Sequence, residues 1–289
     1  MLKTVFLTDK FDKKRGAVML LGGFDGLHAG HKKLLARALS FSLPVGMMTI
    51  VGGKDGAALF TLAEREEIFR LAGIDFVFEL PFAEIKNIAP LEFSTLLKEK
   101  FNVKAFVCGD DFRFGHLAQG TPETLKRDTR VCVEVEELLK IDGEKVSSSK
   151  IKEFLSHGEI EKANRLLETE FFVFGEVFKD RQIGRTIGFP TANIEYPKEK
   201  FSLKKGVYET RVNVDGKEYK AITNFGSRPT FDNDTTLTET YLDGFEGDLY
   251  GKKLQIRFVR FLREIKKFDD VKGLQNQLQQ DIRRVREHD

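Results

Sequence analysis

The sequence predicts an α/β domain built on a parallel sheet, followed by an antiparallel β-barrel domain that closes with a C-terminal helix. Three observations carry this reading. Up to residue 168, continuous apolar runs alternate with amphipathic stretches of helical period. Beyond it, strand-like runs follow one another with no helical stretch between them. The chain then ends on one further helical stripe.

AVMLLGGF (17–24) is apolar throughout, as a strand covered on both faces must be. HKKLLARALS follows as a helix, and LPVGMMTIV as a second buried strand. TLAEREEIFRLAG has Thr61 at its start, Glu64 three residues on and Gly73 at its end, the marks of a capped helix. IDFVFEL is a short strand. LEFSTLLKEKF puts Phe93, Leu96, Leu97 and Phe101 on one helical face, and VKAFVCG is another buried strand. SSSKIKEFL opens a helix with serines at its cap, and EIEKANRLLE (159–168) forms a second. The domain boundary is expected near residue 169, dividing 1–168 from 169–289. FFVFGEVF, GVYETRVNV, KEYKAITNF, TETYLDGF and KLQIRFVRFL are then strands. In GVYETRVNV, Tyr208, Thr210, Val212 and Val214 share one face, and Glu209, Arg211 and Asn213 the other. Asp215-Gly216 between two such runs predicts a hairpin turn. Val271, Leu274, Leu278, Ile282 and Val285 form the apolar stripe of the last helix.

Composition narrows the function classes. Of the 289 residues, 41% are hydrophobic and 32% charged, the balance of a folded globular chain. A net charge of +2 is too near zero to point to a nucleic-acid partner. Arg283, Arg284 and Arg286 read as a solvated helix face. No apolar run approaches the ~18 residues of a membrane span. The start, MLKTVFLTDKFDKKRG, lacks the apolar core of a secretory signal, so a cytoplasmic chain is expected. Cys108 and Cys132 have no metal or redox spacing. Oligomeric state is not readable from the residues.

Two stretches carry chemistry. In LGGFDGLHAGHKKL (21–34), Gly22 and Gly23 end the strand, Asp25-Gly26 makes a turn, and His28 and His31 lie on one face of a helix start. Gly30 stands between them, where a side chain would crowd an approaching group. Free backbone N–H groups and the positive helix end add to the imidazoles, so the arrangement suits a nucleotide phosphate. Protonation of the imidazoles near neutral pH would strengthen that contact. VCGDDFRFG follows a strand of the same sheet, so its loop is expected at the same carboxyl edge. VSSSKIK offers hydroxyls and lysines at a further helix start. Taken singly, each is also what an ordinary surface turn or cap looks like. In GRTIGFPTANI (184–194), Gly184 and Gly188 allow close backbone approach and Pro190 stiffens the turn. Thr191 and Asn193 project to one side with oxygen donors of the kind Mg²⁺ accepts. A turn with local hydrogen bonds would read the same way.

The order GGFDGLHAGH, GDDFRFG, SSSKIK resembles the nucleotidyltransferase module of bacterial bifunctional riboflavin kinase/FAD synthetases. GRTIGFPTANI, NFGSRPTF (224–231), ETYLDGFEGDLYG (239–251) and FLREIKKF (261–268) resemble the kinase motifs of the same family, in family order. The resemblance implies two reactions. A C-terminal barrel would phosphorylate riboflavin to FMN, and a nucleotidyltransferase-like α/β domain would adenylylate FMN to FAD, with ATP and Mg²⁺ serving the chemistry. It implies that His28 and His31 bind the ATP phosphates and stabilise the departing pyrophosphate. Gly22, Phe24, Asp25, Gly30, Ser147, Ser148 and Lys152 would surround the nucleotide, and Asp111, Phe112 and Arg113 the flavin. In the barrel it implies Glu239 as general base, Thr191 and Asn193 on the metal, Gly184 and Gly188 near ATP, and Asn224 and Arg263 near the flavin. The chain departs from the family at TIVGGKDG (49–56), where a Thr-Phe-x-Pro-His-Pro run is common, and at Lys152, Tyr241, Gly244 and Ile265. Two other readings stay open on the residues: mainly a riboflavin kinase, or a flavin- or nucleotide-binding regulator without turnover.

Overall fold

Six strands of the first half form one parallel sheet in this computed structural model, which describes residues 2–7, 9, 12, 14, 16–52, 56–179, 188–229 and 234–288. They are β1 (Lys3–Val5), β2 (Ala17–Leu21), β3 (Val45–Val51), β4 (Phe76–Pro81), β5 (Val103–Gly109) and β6 (Cys132–Glu136). Their spatial order is β1-β4-β3-β2-β5-β6. The helices are α1 (Ala29–Leu39), α2 (Leu62–Leu71), α3 (Phe82–Ile85), α4 (Pro90–Phe101) and α5 (Pro122–Thr129). The continuous apolar strands are explained by two cores. Met19 and Leu21 of β2 join one with Phe78 and Phe106, while Val18 and Leu20 join the other with Met47, Val77 and Val107. Alternate residues of one strand are thus buried on opposite faces.

Local signals act where the sequence places them. Thr61 and Glu64 form a reciprocal capping box on α2, and Gly73 follows with φ of 80°. The local patterns of the sequence assign no element to the residues of β1, β6 and α5. β1 is three residues long, too short to show a period. β6 is an edge strand with no residue fully buried, so it lacks the apolar run that marked its neighbours. A small hairpin, β7 (Lys140–Ile141) and β8 (Glu144–Lys145), turns through Asp142 and Gly143, both at positive φ.

The connections reverse direction between β2 and β5: the chain runs β2, β3, β4 outward on one side, then crosses to β5 and β6 on the other. The carboxyl ends of β2 and β5 therefore flank the switch point, where open α/β sheets bind ligands.

The chain divides into two compact units between Ser148 and Ser149. The second contains nearly all of α6 (Ser148–His157), then α7 (Ile160–Leu167) and six antiparallel strands. These are β9 (Phe171–Glu176), β10 (Thr191–Glu195), β11 (Gly206–Val214), β12 (Lys217–Pro229), β13 (Asp234–Leu242) and β14 (Lys253–Arg263), ordered β10-β13-β12-β11-β14-β9. Just past β9, Phe178 bridges to Asn193 of β10, so the two edges of this order come together and curl the sheet toward the expected barrel. At that seam a Cβ on Gly175 would lie 2.3 Å from Ile194, so a side chain there would force the strands apart. Asp215 and Gly216 both take positive φ in the predicted hairpin turn.

Tyr208, Thr210 and Val212 point into the barrel, where Thr210, Thr223 and Thr240 form a hydrogen-bonded chain of 2.8 and 2.9 Å. Val207 and Ile222 face the other way and pack against Ile282 and Val285 of α8 (Val271–Arg286). The expected stripe of α8 is shifted at its start: Val271 is exposed, and Asp281 is buried among the apolar positions. α7 is pinned to the barrel by Asn164, which donates to the Phe258 carbonyl at 2.8 Å and accepts from the Phe171 N–H at 2.7 Å.

Candidate functional site

The first site forms at the carboxyl ends of β2 and β5. The loop after β2 turns through Asp25 and Gly26 and delivers His28 to the N-cap of α1. The His28 and His31 rings stack, with centroids 3.5 Å apart, and Phe24 lies behind them with its ring 4.5 Å from that of His31. Phe24 is buried in the core, so it backs the histidine. A Cβ on Gly30 would sit 3.3 Å from the His28 ring, close enough that the ring would have to shift by a few tenths of an ångström. A Cβ on Gly22 would likewise come within 2.9 Å of the Phe24 ring.

Burial keeps the imidazoles of the free protein from protonating near neutral pH, so the stronger phosphate contact expected from that protonation is absent before a ligand binds. Burial, then the neighbouring His31, push His28 down to about 3, against the pull of Asp25 and Asp111. Burial lowers His31 to about 4. Both rings are neutral at pH 7 in the free protein.

Ser148, at the start of α6, donates to the Asp25 carboxylate, which also faces the Leu59 N–H at 3.5 Å. Asp111, in the loop after β5, pairs with Lys145 at 3.0 Å and is close enough to act on His28. Phe112 stacks on Phe114 with centroids 5.5 Å apart. Arg113 turns back on its own loop, donating to the carbonyls of Asp110 and Phe112. Ser147 directly precedes Ser148. Lys152 belongs to the second unit, where its ammonium lies 5.9 Å from the centre of the Phe201 ring.

Sequence reasoning missed Arg65. It is buried at the side of Asp25 and donates to Thr49 Oγ1 at 3.0 Å, and Thr49 Oγ1 in turn lies 3.4 Å from the Phe24 carbonyl. An arginine within an amphipathic helix looks solvent-facing from its position alone, so nothing local marked it.

The second site lies on the barrel face that carries α8. Strand register places Asn193 opposite Glu239, Glu239 opposite Asn224, Asn224 opposite Val207 and Val207 opposite Arg263. Directly opposed residues point to the same face, so four of the expected residues form one row across the sheet. Asn224 donates to Glu239 Oε2 at 3.1 Å. Thr191 stands two residues from Asn193 on the same face, opposite Tyr241. Gly188 has φ of 83°, a conformation that glycine adopts without strain. Gly184 lies outside the described residues, as do 53–55 and 230–233.

Among the described residues, the buried side-chain atoms with no hydrogen-bond partner are Asn193 Oδ1 and Arg65 Nε. Arg263 is fully engaged: Nε and Nη2 grip Asp281, and Nη1 donates to the Glu264 carbonyl. Asp281 was also missed, although an acid at 281 falls three residues after Leu278 and four before Val285, on the apolar stripe.

Comparison with known proteins is consistent across the chain. A family model described as FAD synthetase matches residues 10–150, and one described as riboflavin kinase matches 167–288. A bifunctional riboflavin kinase/FMN adenylyltransferase of Bacillus subtilis is 31% identical, with 97% of this chain and 96% of that protein covered. Its counterpart in Haemophilus influenzae is 30% identical, covering 93% and 92%. A crystal structure described as a macrolide-efflux protein from Streptococcus pneumoniae matches with a TM-score of 0.91 at 27% identity, over 99% of each chain. No helix among the described residues of this chain is long and apolar enough to cross a membrane. The chain belongs to the bifunctional riboflavin kinase/FMN adenylyltransferase family, with its FAD synthetase domain before its riboflavin kinase domain.

Proposed function

We propose that riboflavin is phosphorylated on the barrel face around Glu239, and that FMN is adenylylated at the carboxyl ends of β2 and β5. The observation that carries the first assignment is the row Asn193, Glu239, Asn224, Arg263. Glu239 takes the proton from the ribityl hydroxyl, whose oxygen then attacks the γ-phosphorus of ATP. Asn224 orients the carboxylate through its 3.1 Å contact. Arg263 and Asn224 lie on the flavin side, and Gly188 lets backbone approach ATP.

Magnesium fits the residues present. The orphaned, buried Oδ1 of Asn193 and the hydroxyl of Thr191 are hard oxygen donors on one face. They would hold Mg²⁺, which supplies neutralising charge to the ATP phosphates when bound.

In the first unit a phosphate oxygen of FMN attacks the α-phosphorus and pyrophosphate departs, so no protein nucleophile is required. His28, His31 and the free N–H groups of α1 meet the leaving phosphates. Ser147 and Ser148 add hydroxyls, and Asp25, Asp111, Phe112 and Arg113 shape the approach of the substrates. The kinase module is residues 169–289, braced by α7. The reading suits the cytoplasm, where ATP is available and where the free Cys108 and Cys132 stay reduced.

The test is one incubation with riboflavin and MgATP, with products resolved over time. FMN should appear first and FAD after it. The His28→Ala, His31→Ala double variant should stop at FMN. Equal loss of both products from a folded double variant would refute the division into two sites.

A further inference from the structure

The two histidines cannot play the same part, because their hydrogen bonds fix opposite tautomers. His28 Nδ1 accepts the His31 backbone N–H at 3.2 Å. That nitrogen must be bare, so the single proton of neutral His28 sits on Nε2. His31 is the reverse. Its Nδ1 lies 2.8 Å from the Gly26 carbonyl oxygen, which can only accept. Nδ1 therefore carries the proton, and Nε2 holds a free lone pair. Charging His28 would put a proton on Nδ1, facing another N–H, and would break the cap of α1. Charging His31 at Nε2 breaks nothing. With the rings 3.5 Å apart and 17° from parallel, two cations in the stack would repel strongly, so the pair carries one charge at most.

We propose that His31 is the sole proton-accepting residue of the adenylylation site: it takes a proton at Nε2 when a polyphosphate binds, while His28 stays neutral and donates through Nε2–H. This rests on reading the pocket as the adenylyltransferase site, and adds which ring carries charge and when. The proton comes from solvent on binding. In the transfer, a bond forms from an FMN phosphate oxygen to the α-phosphorus. The bond from that phosphorus to the bridging oxygen breaks, and its electron pair goes to pyrophosphate beside the His31 cation. The proton leaves with pyrophosphate, and His31 returns to its neutral form.

The surroundings agree. Burial holds both rings neutral in the free protein. The carboxylates facing the pair are Asp25, which accepts from Ser148 beside Arg65, and Asp111, paired with Lys145. Each is balanced by a neighbour, so the missing negative charge is what a polyphosphate brings.

The chain has five histidines, few enough to follow individually by ring ¹⁵N chemical shifts in the full-length protein. Inorganic pyrophosphate with Mg²⁺ is the probe, because only the adenylylation reaction releases it. In the free protein at pH 7.5, His28 should show the Nε2–H tautomer and His31 the Nδ1–H tautomer. With pyrophosphate, both nitrogens of His31 should move to imidazolium values and His28 should keep its pattern. Calorimetry in two buffers of different ionisation enthalpy should show proton uptake that His31→Gln loses and His28→Gln keeps. Protonation of His28, or of neither ring, with pyrophosphate bound would overturn the proposal. If pyrophosphate left the amide signals of residues 22–31 unmoved, the location of the site itself would fall, and the proposal with it.

Discussion

Glu239 stands between two asparagines, Asn193 on β10 and Asn224 on β12, on a face shared with the largely covered Arg263. A carboxylate held this way is oriented before substrate arrives. Glu239→Gln keeps the shape and removes the proposed base. FMN formation should fall by about 10²–10⁴-fold, while FAD made from supplied FMN stays unchanged in the same chromatographic assay. The histidines make a prediction in pH. Both titrate well below the ordinary 6.5 in the fold, at about 3 and about 4. As pH falls below 6.5 the unfolded chain takes up these protons and the folded chain does not. Their contribution to stability is therefore complete above that pH and drains away toward pH 4. Thermal melts should show the first unit losing stability across this window, and a His28→Asn, His31→Asn variant should flatten the slope.

Two helices contrast cap and charge. The capping box of α2 satisfies the buried N–H groups of Thr61 and Glu64, so Thr61→Ala should cost about 1 kcal/mol. α8 is held differently. Asp281 is fully buried and grips Arg263 through two nitrogens, with Gln277 donating to the same carboxylate. Asp281→Asn leaves a nearly buried guanidinium without its counter-charge and should cost about 3–5 kcal/mol. Replacing both partners, Asp281→Leu with Arg263→Met, should recover much of that loss. Urea midpoints of the three variants measure the difference. A double replacement no more stable than Asp281→Asn would mean that the pair supplies more than mutual neutralisation.

At the scale of the whole chain, the unit boundary falls ahead of the expected junction near 169. Asn164 bonds both β9 and β14, and Ile160, Ala163, Leu166 and Leu167 of α7 are buried. A fragment of residues 149–289 should fold and phosphorylate riboflavin. A fragment starting at 170 loses those bonds and bares the apolar surface that α7 covers. It should melt at a clearly lower temperature by circular dichroism. Equal melting of the two fragments would make α7 dispensable.

The sequence by itself determined the elements and the local chemistry. Strand and helix periods, the Thr61–Glu64 box, the Asp215-Gly216 turn and the histidine turn are written within a few neighbouring residues, and local physics needs no more than that. Edge strands such as β1 and β6 were not visible, because a short or half-exposed strand carries no apolar run. Tertiary structure alone decided what depends on partners distant in the chain. Pairing register set Asn193, Glu239 and Arg263 in one row, and the packing of α8 turned an acid on an apolar stripe into the counter-charge of an arginine. The burial of His28 and His31 moved their titration well below its ordinary range. Proximity between remote residues is a property of the packed chain, and desolvation exists only once that chain has closed around a group.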